Sequence, residues 1–138
     1  MQAALERIIH RLIVCEGVDT FLFGSKSRFN ELCYELVTVA KESYPYIKRV
    51  YVRAAHPIIS EEYRAYLLQN YEDTYYPERV RGAGRAAYVQ RNCAMIDSSL
   101  FCIVYYDECR APATRRSGTA LALAYARRCG RCIQHLLG

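Results

Sequence analysis

The chain has 138 residues, a formal charge of +5 and 52% hydrophobic residues. That length predicts one domain over 1–138 with a real core, and that hydrophobic content excludes a disordered chain. No apolar run reaches the roughly 18 residues that cross a membrane, and the start Met1-Gln2-Ala3-Ala4-Leu5-Glu6-Arg7 has no signal-peptide pattern, so a cytoplasmic protein is expected.

Leu5, Ile8, Ile9 and Leu12 recur at helical spacing and predict an amphipathic helix over 2–14. Glu16-Gly17-Val18-Asp19 breaks it, so residues 1–17 read as a helix packed on the domain. Thr20 to Phe23 predicts a short buried strand ending at Gly24. Phe29, Leu32, Cys33, Leu36, Val39 and Ala40 predict a second helix over 27–43, capped by Ser25 or Ser27 and stopped by Pro45. Arg49 to Ala54 is rich in β-formers and predicts a second strand, closed by Pro57.

Ser60 is placed to cap a short helix through Leu68. Residues 71–83 show no clear period and read as a long loop. A helix is predicted over 84–95, a third strand over 100–106, and a polar loop over 107–116. Ser117 then caps a helix through Ala126, with Gly130 as its stop, and 132–137 reads as a final strand. This alternation predicts an α/β protein, a Rossmann-like three-layer sandwich with a mostly parallel central sheet. Right-handed crossovers put every strand's C-terminal end on one edge, where ligands of open α/β sheets bind.

That edge selects the candidate site. Gly24 and Ser25 follow the first strand, and Ser117, Gly118 and Thr119 open a later helix. Backbone N–H groups at such turns hold phosphate; the plainer alternative is ordinary turn and capping chemistry. Tyr106 and Asp107 end the third strand. Arg28, Arg53, Arg85 and Arg91 carry guanidinium forks suited to phosphate, and Asn92 could orient a ribose. Arginines cluster over 79–91 and 110–131, which fits a small anion or a nucleic acid, or solubility alone.

Tyr71, Tyr75, Tyr76 and Tyr88 could stack on a base, although packing is the commoner use of tyrosine. Asp73, Glu78, Asp107 and Glu108 are the acids near the site, for catalysis, for ribose, or for plain ion pairs with arginine. The seven cysteines, at 15, 33, 93, 102, 109, 129 and 132, are odd in number and irregularly spaced, which suits reduced thiols. Cys129-Gly130-Arg131-Cys132 has no second half, and His10, His56 and His135 are scattered, so no metal site is expected.

The segments 23–25 (Phe-Gly-Ser), 49–54, 71–78, 84–92, 102–108 and 117–119 (Ser-Gly-Thr) resemble small stand-alone bacterial domains of the SLOG superfamily. The resemblance covers nearly the whole chain after residue 18. It implies a Rossmann-like fold. Relatives of that kind include LOG phosphoribohydrolases, which release a base from a nucleoside monophosphate. Others are single-strand DNA-binding proteins and nucleotide sensors of antiphage signalling. The LOG enzymes carry Pro-Gly-Gly-x-Gly-Thr followed by a catalytic Glu. Here Arg115-Arg116 stands near the double glycine's place, only Gly118-Thr119 survives, and no acid follows on the helix.

The resemblance therefore implies a binder of a nucleotide or ADP-ribose derivative, a sensor or sequestering protein, with phosphate at two helix N-termini and no cofactor. A phosphoribohydrolase is the alternative, in which Glu78 or Asp107 must replace the missing acid. A single-strand nucleic-acid binder is the other. A homo-oligomer, most simply a dimer, is compatible with either.

Overall fold

The computed structural model describes residues 1–106 and 118–136, and the chain in it is α/β. It divides into two compact units, Met1–Pro77 and Glu78–Gly138. The first contains α1 (Gln2–Val14), β1 (Thr20–Phe23), α2 (Arg28–Ser43), β2 (Lys48–Val52), α3 (Glu61–Leu68) and β3 (Asp73–Tyr75). The second contains α4 (Ala87–Asp97), β4 (Phe101–Val104), α5 (Gly118–Arg128) and β5 (Cys132–His135).

In the first unit the strands form a parallel sheet in the order β1-β2-β3. In the second, β4 and β5 pair in parallel. The ladders thus form two small sheets where strand–helix alternation had predicted one central sheet. Alternation fixes strand direction; which strands hydrogen-bond depends on contacts between distant segments.

The largest departure is β3. Residues 71–83 read as loop, yet Asp73–Tyr75 pairs with Val50–Val52. A strand of three residues is too short to display a period of two, and its identity comes from its partner. Single 3₁₀ turns at Glu78–Val80 and Gly84–Ala86 follow, so α4 starts three residues later than the predicted 84 and runs on to Asp97. The strands β2 and β4 are each shorter than predicted at their C-terminal ends.

The helices of the first unit follow their side chains closely. Leu5, Ile9, Leu12 and Ile13 are buried on α1, which packs against α2. Each such side chain contributes about 1.5–3 kcal/mol by leaving water. The α2 N-cap is Ser27, whose hydroxyl accepts from the Asn30 N–H at 3.1 Å. Ser60 caps α3 as its position predicted, accepting from the Tyr63 N–H at 3.1 Å.

Arg49 ties α2, β2 and the approach to β3 together. Its Nε and Nη2 donate to the two Glu72 oxygens at 3.0 and 2.7 Å. Its Nη1 donates to Thr38 Oγ1 at 3.1 Å, and the Glu72 carboxylate also accepts from the Arg49 backbone N–H at 2.7 Å. Beside it, Phe23, Tyr34, Tyr51 and Tyr71 form one aromatic cluster with ring centroids 5.1–6.3 Å apart. Burial there pushes the Tyr71 phenol up to about 12.

The Arg49 hydrogen bonds hold the Glu72 carboxyl below the usual carboxylate range. A carboxyl depressed in the folded state adds stability above its unfolded value, and that stability is lost as pH falls through the folded value. Glu72→Gln is therefore expected to cost about 1–2 kcal/mol at neutral pH. Urea unfolding at pH 7 and pH 3 checks this: the gap between variant and parent should shrink at the lower pH.

Candidate functional site

The parallel register of the first unit decides which residues share an edge. Phe23 pairs with Tyr51, and Val52 pairs with Tyr75. Gly24, Arg53 and Tyr76 each follow the last residue of their strands, so all three emerge at the C-terminal edge. The Arg53 N–H donates to the Tyr75 carbonyl at 2.9 Å, which carries the ladder one step past β2. Neighbouring strands lie about 4.8 Å apart, so the three residues span two strand spacings.

The first turn of α2 lies level with Arg53. Thr38 touches Arg49, and because β1 and β2 are parallel the chain returns through α2 against the strand direction. From Arg49 to Arg53 the chain advances about 13 Å at strand spacing. From Thr38 back to Arg28 the helix covers about 15 Å. Arg49, Tyr51 and Arg53 alternate onto one face, the face that α2 covers. The turn Gly24-Ser25-Lys26-Ser27-Arg28 thus comes over the same corner. In it, the Ser25 and Ser27 hydroxyls are 3.1 Å apart, and Ser25, Lys26 and Arg28 are exposed.

Arg53 is the unusual residue of this corner. It is only 7% exposed. Its Nε donates to the His56 carbonyl at 3.3 Å and its Nη1 to Thr74 Oγ1 at 3.1 Å. Thr74 Oγ1 in turn donates to the Tyr51 carbonyl at 2.8 Å. Both acceptors of Arg53 are neutral, and no carboxylate among the described residues is within ion-pair distance of it. Burial pushes the guanidinium below its ordinary value, and the nearby Arg64 pushes the same way. A buried cation of this kind favours an incoming anion.

The turn after Arg53 is strained. His56 has φ 61° and precedes Pro57. Left-handed backbone disfavours a residue with a Cβ, and that conformation at His56 aims its carbonyl at Arg53. Neither His56, Thr74 nor the α3 side chains beside them carried a motif. Only the strand pairing brings them to this edge.

The remaining candidates lie in the second unit. Arg91 is 5% exposed, with its Nε donating to Asn92 Oδ1 at 3.1 Å and its guanidinium 5.4 Å from the Tyr88 ring centroid. Arg85 is exposed in the 3₁₀ turn before α4. Glu78 is exposed and pairs with Arg81 at 3.4 Å. Tyr106 is half-buried just beyond β4, and Gly118 and Thr119 open α5 with both residues exposed. Asp107, Glu108, Arg115, Arg116 and Ser117 lie outside the described residues.

Arg79 has a structural task that its arginine-rich segment did not advertise. It donates to Gln90 Oε1 at 2.6 Å, Asp97 Oδ2 at 2.7 Å and the Tyr125 hydroxyl at 2.8 Å. Tyr125 donates to Asp97 Oδ1 at 2.6 Å. The hydrogen bond from Tyr125, then that from Arg79, holds the Asp97 carboxyl below its usual range. This knot joins α4 to α5. Tyr71 and Tyr75 are likewise built into the first unit, in the aromatic cluster and in β3.

Among the described residues no group of three or more His, Cys, Asp or Glu is arranged to hold a metal, and the described cysteines are free. No described helix is long and apolar enough to cross a membrane. No family model matches this chain, and no curated protein matches it.

Two stability measurements check the corner. Arg53→Met, an apolar replacement of similar length, should change the stability of the ligand-free protein by less than about 1 kcal/mol, because desolvation of an uncompensated cation offsets its two hydrogen bonds. His56→Gly should raise stability by about 0.5–1 kcal/mol in denaturant titrations, by relieving the left-handed backbone.

Proposed function

We propose that the protein binds a small phosphate-bearing ligand of the nucleotide or ADP-ribose type, as a sensor or sequestering module. The single observation that carries this is Arg53: a buried guanidinium whose hydrogen-bond acceptors among the described residues are neutral, at the C-terminal edge of a parallel sheet. A phosphate there would supply the negative charge that the described residues do not. The Gly24–Ser27 turn adds the N-terminal end of a 16-residue helix to the same corner. The exposed Gly118–Thr119 start of α5 is the comparable feature of the second unit.

The SLOG resemblance supports the same reading through its motifs, and with it go a Rossmann-like three-layer sandwich and a cytoplasmic location. The hydrolase reading draws no support from Glu78, whose carboxylate faces solvent and Arg81.

Isothermal titration with AMP and ADP-ribose tests the proposal. At least one should bind, more weakly as salt rises, and Arg53→Met should weaken it at least about tenfold. Absence of binding by both nucleotides, or unchanged affinity in the variant, would reject it.

A further inference from the structure

A group of exposed aromatic and apolar side chains follows Arg53 in the chain, and Tyr63 within it lies near the Arg53 guanidinium. Ile58 is 90% exposed, Tyr66 60% and Tyr63 38%. Tyr63 and Tyr66 are one helical turn apart on α3, and their rings stack with centroids 6.2 Å apart and planes 17° from parallel. His56 meets Tyr63 edge-on at 6.4 Å and 76°. The Ser60 cap fixes the backbone of Tyr63 directly. Tyr63 and Arg64 both lie within electrostatic reach of the Arg53 guanidinium. Arg64 is itself 3.8 Å from Asp73, an acid that also lies within electrostatic reach of Arg53.

Two features therefore adjoin: a buried positive charge with no ion-pair partner among the described residues, and an aromatic surface left to water. Inorganic phosphate would answer the first and leave the second wet. An apolar peptide would cover the second and leave Arg53 uncompensated. A nucleotide answers both, because it joins an anion to a planar ring through a short sugar. The tyrosines of 71–76, by contrast, are largely occupied: Tyr71 is packed among Phe23, Tyr34 and Tyr51, and Tyr75 sits in β3.

We propose that the Tyr63–Tyr66 stack on α3, with His56 at its edge, is the base platform for a mononucleotide whose phosphate is held at Arg53. This rests on the phosphate reading above and assigns the base to α3 instead of the 71–83 segment. Base–aromatic stacking is sequence-tolerant, so a purine is expected to bind best only through its larger ring.

The chain has no Trp and 13 Tyr, so its intrinsic emission reports tyrosine directly. The experiment titrates the full chain with AMP and with ribose 5-phosphate, by calorimetry and tyrosine fluorescence. AMP is expected to bind about tenfold or more tightly than ribose 5-phosphate and to quench emission. A Tyr63→Ala, Tyr66→Ala double variant, its fold checked by circular dichroism, is expected to bring AMP affinity down to that of ribose 5-phosphate.

Equal binding of the two ligands by the parent protein overturns the platform and leaves the phosphate reading standing. So does a double variant that keeps its preference for AMP. Failure of both ligands to bind overturns the mononucleotide platform, and failure of ADP-ribose as well overturns the phosphate reading. Affinity that climbs with each nucleotide added to a short oligo-dA overturns the mononucleotide assignment and gives the stack to a nucleic-acid strand.

Discussion

Parallel pairing is the constraint on which the first unit depends. Each strand must be re-entered from the same end, so the chain has to travel back through a helix between β1 and β2 and again between β2 and β3. Every such return delivers a loop to one edge. The aromatic cluster of Phe23, Tyr34, Tyr51 and Tyr71 and the Arg49–Glu72 pair then lock α2 onto the sheet face.

Two arginines on the same strand face show how position decides chemistry. Arg49 meets a carboxylate in both oxygens and serves the fold. Arg53, four residues further, meets a carbonyl and a hydroxyl. The first is a satisfied ion pair. The second keeps a buried charge with no ion-pair partner among the described residues, beside a left-handed turn at His56. Costs of this kind cluster at functional sites, and that is the physical basis of the proposal made for this corner.

The second unit uses its polar groups differently. Arg79, Asp97 and Tyr125 are spent on one another, and Glu78 on Arg81. Arg91 is buried on α4 against Asn92 and Tyr88. The arginine-rich segment 79–91, which composition presents as one basic surface, divides into a knot between helices, a buried side chain and exposed residues such as Arg85.

Local sequence determined most of the elements. Apolar spacing placed α1 and α2, Ser60 and the pair Ser25 or Ser27 marked helix starts, and β-branched and aromatic runs marked β1, β2 and β4. These signals lie within a few residues of one another, so a short window contains them. Gly24 and Arg53 could be named as edge residues because alternation implies parallel strands; Tyr76 joins them only through β3. What only tertiary structure decided was β3, the division into two sheets, and the partners of each arginine. Thr74 lies 21 residues from Arg53, and Glu72 lies 23 from Arg49. Whether a guanidinium meets an acid, a hydroxyl or nothing charged is settled by strand pairing across such separations, and no local pattern records it.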